Sequence, residues 1–364
     1  MGGPLPIVPT LPGRPVLVQP AFIRLDSNEN PLGPSPKAIA AMQQGLASAN
    51  SYPDNDCTEL RARLAAFHAV PMEQVLVSNG STGVLSLLCQ TLLGPGLNAV
   101  TCEKSFIVYG MAVRAIGAQL IETPMREDAF DLEAVLDAIN EHTRLVFLAN
   151  PNNPTGTIIE ASRVDQFLAE IPGHVVVMLD EAYFEFAAHF AERRNVQYSR
   201  SLDYVRQGAS VVVLRTFSKA HGLAGLRIGY GIGPTELLSY CARMQNTFSV
   251  SSIALEAALA AVDDENHIAR TTINNAQQAQ ILGVGLSEIG FRVIPTWGNF
   301  LYCDVGCDAD VFAERLKEDG IGVRPLGAWG APHAVRISIG TPQQNETCLE
   351  AMRRISLILH LPQN

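Results

Sequence analysis

Short apolar runs alternate with helical periodicity along most of the chain. Val75–Val77, Leu145–Leu148, Val175–Leu179 and Val211–Leu214 are compact apolar runs rich in β-branched residues. That is the pattern of strands covered on both faces. Between them, Leu132, Val135, Leu136 and Ile139 fall at i, i+3, i+4 and i+7, the apolar stripe of a helix. Strand–helix alternation of this kind predicts an α/β fold with a mainly parallel central sheet and helices on both faces. Asp310 to Asp319 reads as a helix stopped at Gly320, followed by the strand-like "HAVRISIG". The expected organisation is residues 1–45 as an N-terminal arm and part of a smaller domain, 46–260 as a large domain, and 261–364 as a smaller C-terminal α/β domain.

Composition narrows the class without changing this picture. The chain has 364 residues, 47% of them apolar and 17% charged, which suits a folded α/β protein and not a disordered one. No apolar run approaches a membrane span. The start, "MGGPLPIVPTLPGRP", has no basic region leading into an apolar stretch, so it reads as an extended arm and not as a signal peptide. The net charge is −10 and no Lys/Arg stripe is present, which argues against nucleic-acid and membrane partners. Seven scattered cysteines fit reduced thiols in the cytoplasm, and Cys303 and Cys307 have no second pair at zinc spacing, so no metal is expected.

The chemistry sits just past the apolar runs, where open α/β sheets bind ligands. "SNGSTG" puts Gly80, Ser81 and Thr82 at the start of a helix, an anion site through free N–H groups and hydroxyls. Taken alone, it also reads as a plain helix cap. "NPNNPTG" reads as a rigid loop offering the Asn153 amide. Asp180 follows five apolar residues, and a carboxylate there reads as a capping or ion-paired group or, more sharply, as the partner of a protonated ring nitrogen. In "RTFSKAHGLAGLRIGYGIG", Lys219 lies beside the hydroxyls of Thr216 and Ser218, with Arg227 eight residues on. That is a dianion-binding set next to an amine, and an amine with a lowered pKa attacks aldehydes. A phosphate site, an acid for a ring nitrogen, an amide donor and a nucleophilic lysine together describe pyridoxal 5′-phosphate.

"RLDSNENPLGPSP", "YPDNDCTELRARLA", "LVSNGSTG", "NPNNPTG", "LDEAY", "RTFSKAHGLAGLRIGY" and "GIGVRPLGAWGAPHAVRISIGT" occur in order over nearly the whole chain. With them the sequence resembles the fold-type I aminotransferases, and within them the histidinol-phosphate aminotransferase-like branch. The resemblance implies an internal aldimine on Lys219, which later acts as acid and base. It implies Asp180 at the pyridine nitrogen, Asn153 and Tyr183 at the phenolic oxygen, and Phe106 stacked on the ring. Gly80, Ser81, Thr82, Thr216, Ser218 and Arg227 should surround the phosphate. Thr82 stands where the family usually has an acidic or small residue. Tyr52 resembles a tyrosine that reaches the partner subunit's phosphate site, implying a homodimer. Arg336 resembles the arginine that grips the substrate α-carboxylate, and Arg324 a second arginine towards the substrate's distal end.

The implied reaction is ping-pong transfer of an amino group between L-histidinol phosphate and 2-oxoglutarate. One departure bears on the donor. Family members acting on histidinol phosphate commonly carry an aromatic just before "PG", where this chain has Leu11 in "PTLPG". A leucine cannot bond phosphate, which keeps phenylalanine or tyrosine open as an alternative donor. A threonine-phosphate decarboxylase-like lyase shares the cofactor residues. A non-catalytic regulator would need a basic DNA-binding module, for which there is no room before "RLDSNENP". Trp297 and Trp329 are read either as cleft lining or as ordinary packing, and His221 as a satisfied core or surface histidine.

Overall fold

The structure is a computed structural model and describes residues 22–359, so Leu11 and the arm before Phe22 lie outside the described residues. The four apolar runs are the strands Val75–Ser78, Thr143–Ala149, Val176–Asp180 and Val211–Thr216. They belong to a seven-stranded sheet. Its order is Val75–Ser78, Gly229–Ile232, Val211–Thr216, Val176–Asp180, Thr143–Ala149, Asn98–Cys102, Gln119–Thr123. Six strands point one way; Gly229–Ile232 alone runs antiparallel to both its neighbours. Every residue of Val211–Thr216 is buried, as expected of a strand covered on both faces. The carboxyl ends of the six strands therefore lie along one edge.

Local chemistry explains the elements that frame that edge. The helix Ser81–Leu92 packs so closely on the antiparallel strand that a Cβ at Gly229 would lie 2.4 Å from the Ser81 nitrogen, so only glycine fits there. Asp131 caps the helix Leu132–Ala138 by accepting from Glu133 N and Ala134 N. Ile139, the last residue of the expected stripe, is already extended.

A five-stranded sheet forms a second layer system, ordered Ile23–Leu25, Ile321–Leu326, Ala331–Ser338, Phe300–Asp304, Arg292–Ile294. It encloses its own core around Leu25, Phe312, Ile337 and Met352. The helix Ala309–Glu318 precedes the first long strand, with Gly320 taking the left-handed φ of +78° just beyond it. Ile23–Leu25 pairs in parallel with Ile321–Leu326, which ties the start of the described chain to its last hundred residues. The helix Pro36–Gly45, sequence-assigned with the arm, instead packs on Ser252–Val262 and buries Ala38 in the larger core. Residues 26–35 must then cross from one sheet to the other, past the carboxyl edge. Among the described residues, no helix is long and apolar enough to cross a membrane.

Candidate active site

A cleft of about 380 Å³ opens at the carboxyl edge of the large sheet, with the small sheet as its opposite wall. At one end Ser81 and Thr82 are the first two residues of the helix Ser81–Leu92. The N-cap is Gly80, at φ +85°, and no side chain caps the helix, so these hydroxyls are not used as caps. Arg227 Nη1 donates to Ser218 Oγ at 3.2 Å, and Ser218 N donates to Thr216 Oγ1 at 3.1 Å. A Cβ at Gly80 would meet Arg227 Nη2 at 2.7 Å, so glycine lets the guanidinium close over the helix start. Gly80 itself does not line the cleft. Four hydroxyls, one guanidinium and a helix N-terminus make a dianion site.

Lys219 Nζ donates to the Ser27 carbonyl at 3.0 Å. Burial, with Arg336 and then Arg227 nearby, lowers its pKa to about 7, against the pull of Glu29 and Asp180. The amine is therefore available as a nucleophile near neutral pH. Asp180 ends its strand, 7% exposed. Its Oδ2 accepts from the Tyr109 hydroxyl at 2.9 Å and its Oδ1 from Ala182 N at 3.2 Å. Burial raises its pKa to about 6. Among the described residues no cation lies within ion-pairing distance of Asp180, so the ion-pair reading fails. A buried carboxylate with only neutral partners suits a protonated ring nitrogen.

Tyr109 was not singled out from the sequence. It stacks on Phe147 with centroids 4.6 Å apart, and burial and Asp180 raise its pKa well above the ordinary range, so it stays a donor. The available signal was its place one helical turn after Phe106 in "EKSFIVYG". Phe106 lines the cleft, its ring nearly perpendicular to that of Tyr109 with centroids 5.6 Å apart.

The opposite wall carries Arg336 and Arg324, cross-strand neighbours in the small sheet. Arg336 is 6% exposed; Nη1 donates to Asn153 Oδ1 at 2.6 Å and Nη2 to the Asp26 carbonyl at 2.8 Å. Among the described residues its Nε is buried without a partner. Arg324 is looser: Nε donates to the Asp26 carbonyl at 3.3 Å, and its side chain is 41% exposed. Tyr183 accepts from Asn28 Nδ2 at 3.0 Å, with its ring 5.7 Å from Lys219 Nζ. Trp329 lines the cleft, whereas Trp297 packs against Arg194. His221 is buried with Nε2 3.7 Å from a Glu185 carboxylate oxygen, but among the described residues its Nδ1 has no hydrogen-bond partner, so only one side of the ring is satisfied. Tyr52 lies outside this cleft, 83% exposed and stacked on Phe248.

The donor set fits pyridoxal 5′-phosphate: a dianion site at one end, an acidic partner for a ring nitrogen, and a lysine with a lowered pKa between. Residues 20–352 match the sequence profile of the aminotransferases of class I and II. A histidinol-phosphate aminotransferase of Akkermansia muciniphila is 40% identical over 96% of this chain and 97% of its own length. Histidinol-phosphate aminotransferase 2 of Pseudomonas aeruginosa is 41% identical over 95% of each. The crystal structure of the Sinorhizobium meliloti histidinol-phosphate aminotransferase in complex with pyridoxal-5′-phosphate superposes with a TM-score of 0.87. It is 28% identical and covers 93% of this chain and 92% of that one. The L-threonine-O-3-phosphate decarboxylase of Porphyromonas gingivalis shares the fold alone, at 21% identity and a TM-score of 0.81, covering 93% of this chain and 100% of that one. The chain therefore belongs to the class I and II aminotransferases, as an enzyme of the histidinol-phosphate aminotransferase type that uses pyridoxal 5′-phosphate.

Proposed function

We propose that the enzyme moves an amino group between L-histidinol phosphate and 2-oxoglutarate, the two visiting one cleft in turn. The observation that carries this reading is Arg336, a buried guanidinium opposite Lys219 whose Nε has no partner among the described residues. A buried donor left unpaired costs free energy, so the site favours a ligand that brings an oxyanion to it. Histidinol phosphate offers a phosphate one carbon from the amine-bearing carbon, and 2-oxoglutarate offers a carboxylate beside its keto carbon. One fork can serve both halves of a ping-pong cycle. The names of the curated relatives support this donor.

When bound, pyridoxal phosphate supplies an electron sink that acidifies the Cα–H bond of an attached amine. Lys219 would hold the cofactor through its ε-amine and, once displaced, take the Cα proton and return it on the cofactor side. Asp180 would keep a proton on the ring nitrogen. Tyr183 and Asn153 would bond the phenolic oxygen, Phe106 would cover one ring face, and the Gly80–Thr82, Thr216, Ser218 and Arg227 set would fix the phosphate. Arg336 would orient the substrate so that Cα–H stands across the ring, the alignment that separates transamination from decarboxylation. Arg324 would act further out. The exposed Tyr52, stacked on the exposed Phe248, supports a homodimer in which Tyr52 completes the partner's phosphate site. Seven unpaired cysteines support a reducing, cytoplasmic location.

Single-turnover spectroscopy of the cofactor-loaded protein tests the donor. L-histidinol phosphate should convert the visible band rapidly, and L-phenylalanine and L-tyrosine should be slow. Fast conversion by the aromatic amino acids alone would assign the enzyme to them. Release of CO₂ without a keto product, from L-phenylalanine, L-tyrosine or added L-threonine-O-3-phosphate, would make it a lyase.

A further inference from the structure

The segment between the two sheets crosses the cleft and is held on both sides. The Asp26 carbonyl accepts from Arg336 and Arg324, the Ser27 carbonyl accepts from Lys219 Nζ, and Asn30 Nδ2 donates to the Ala220 carbonyl beside Lys219 at 2.8 Å. At its centre Asn28 is 1% exposed and has a left-handed φ of +54°. That conformation is costly for a residue other than glycine and least so for asparagine, so it persists where its surroundings hold it.

Those surroundings are complete. Asn28 N donates to Ser338 Oγ at 2.7 Å, and Ser338 Oγ donates back to Asn28 Oδ1 at 3.2 Å. Asn299 Nδ2 donates to the Asn28 carbonyl at 3.0 Å, and Asn28 Nδ2 donates to the Tyr183 hydroxyl at 3.0 Å. Every polar group of Asn28 is used. Ser338 Oγ accepts from the Asn28 backbone N–H and gives its own hydrogen to Oδ1. With the amide assigned in this way, its other end is Nδ2, the donor to Tyr183. The bond to Tyr183 then occupies a lone pair of its oxygen, and the phenol's own hydrogen must point elsewhere, into the cleft that Tyr183 lines. Burial raises the Tyr183 pKa, so that hydrogen is retained at neutral pH. The charged groups around the phenol are Arg336, Asp180 and Lys219.

We propose that Asn28 is a positioning residue of the reaction. Its left-handed turn presents the Ser27 carbonyl as the resting acceptor for the free Lys219 amine, and its amide aims the Tyr183 hydroxyl at the phenolic oxygen of the cofactor. This rests on the reading of Lys219 and Tyr183 given above. Asn28 would act through these two residues and would not itself touch the substrate.

The test is Asn28→Gly, because glycine takes the same φ without strain and loses only the amide. The loaded variant should bind the cofactor. Its kcat should fall about tenfold with KM little changed, as expected when a transition-state interaction is lost. The pH midpoint of the cofactor's visible band should rise by about one unit, the scale of a lost hydrogen bond to a charged group. Tyr183→Phe should move the midpoint the same way, and the double variant should add little to either single change. An unchanged midpoint in Asn28→Gly, or fully additive effects in the double variant, would overturn the proposal. Should Asn28→Gly fail to fold, Ser338→Ala loosens Asn28 from its other side. It should give a smaller shift in the same direction, and no shift there overturns the proposal equally. A parent protein with no visible band once loaded with the cofactor would instead sink the reading of Lys219, and the proposal with it.

Discussion

The two walls of the cleft are built in different ways. The large-sheet wall takes its groups from strand ends, each a few residues of local sequence: Ser81 and Thr82, Asn153, Asp180, Thr216 to Lys219. The other wall joins residues from opposite ends of the chain, with Arg336 donating to the carbonyl of Asp26 310 positions away. The first wall is stiff because the strands beneath it are buried on both faces. The second depends on a crossing segment held by hydrogen bonds to both sheets. The comparison implies that damage to the sheet wall should abolish chemistry, while damage to the other wall should weaken selection and alignment of the substrate.

The largest effect should come from Lys219→Ala, which removes the amine that the proposed function gives to holding the cofactor and moving the Cα proton. Loss of activity on the order of 10⁴-fold or more is expected in steady-state assays, with the absorbance of lysine-bound cofactor gone. On the proposed role of Asp180 at the ring nitrogen, Asp180→Asn should cost on the order of 10²–10³-fold in kcat, since it removes that buried charge.

Asp180 also separates function from stability. Its folded pKa of about 6 lies above its unfolded value of about 4. The folded chain thus binds the extra proton between those values, and the cost of the buried charge is absent below about pH 4 and full above about pH 6. Cofactor-free Asp180→Asn should therefore have the higher Tm above pH 6, the gap closing as pH falls to 4. A lower Tm for the variant at pH 7 would contradict this picture.

On the small-sheet wall, Arg336→Ala should lower kcat/KM by on the order of 10²-fold while the cofactor stays bound. Arg336→Lys should restore only part of that, because a single ammonium lacks the fork. The smallest change is expected for Arg324→Gln. An exposed arginine is screened by water, and less than about a fivefold rise in KM should follow. A larger loss from Arg324 than from Arg336 would reverse the order of the two arginines.

What was legible depended on distance along the chain. Lys219, Asp180 and Asn153 stood out because polar groups directly after apolar runs lie at the carboxyl edge of a parallel sheet. Ser81 and Thr82 had been open to a capping role, and the structure gives the cap position to Gly80. Tyr109 escaped notice although it lies near Phe106, because its importance comes from Asp180, 71 residues on. Asn28 lay in plain view in "RLDSNENPLG", yet its partners Tyr183, Asn299 and Ser338 meet only in the folded chain.

The sequence by itself determined the strands, the helix starts and the chemical kinds of group at the sheet edge, because periodicity, capping and burial of apolar runs act over a few residues. Only the tertiary structure decided which groups face each other. Among the described residues it put an unpartnered Arg336 Nε opposite Lys219, left Asp180 with neutral partners alone, and laid the 26–35 segment between two sheets. Those relations depend on how two separate cores pack and on where the crossing chain is held, and no local pattern encodes that distance.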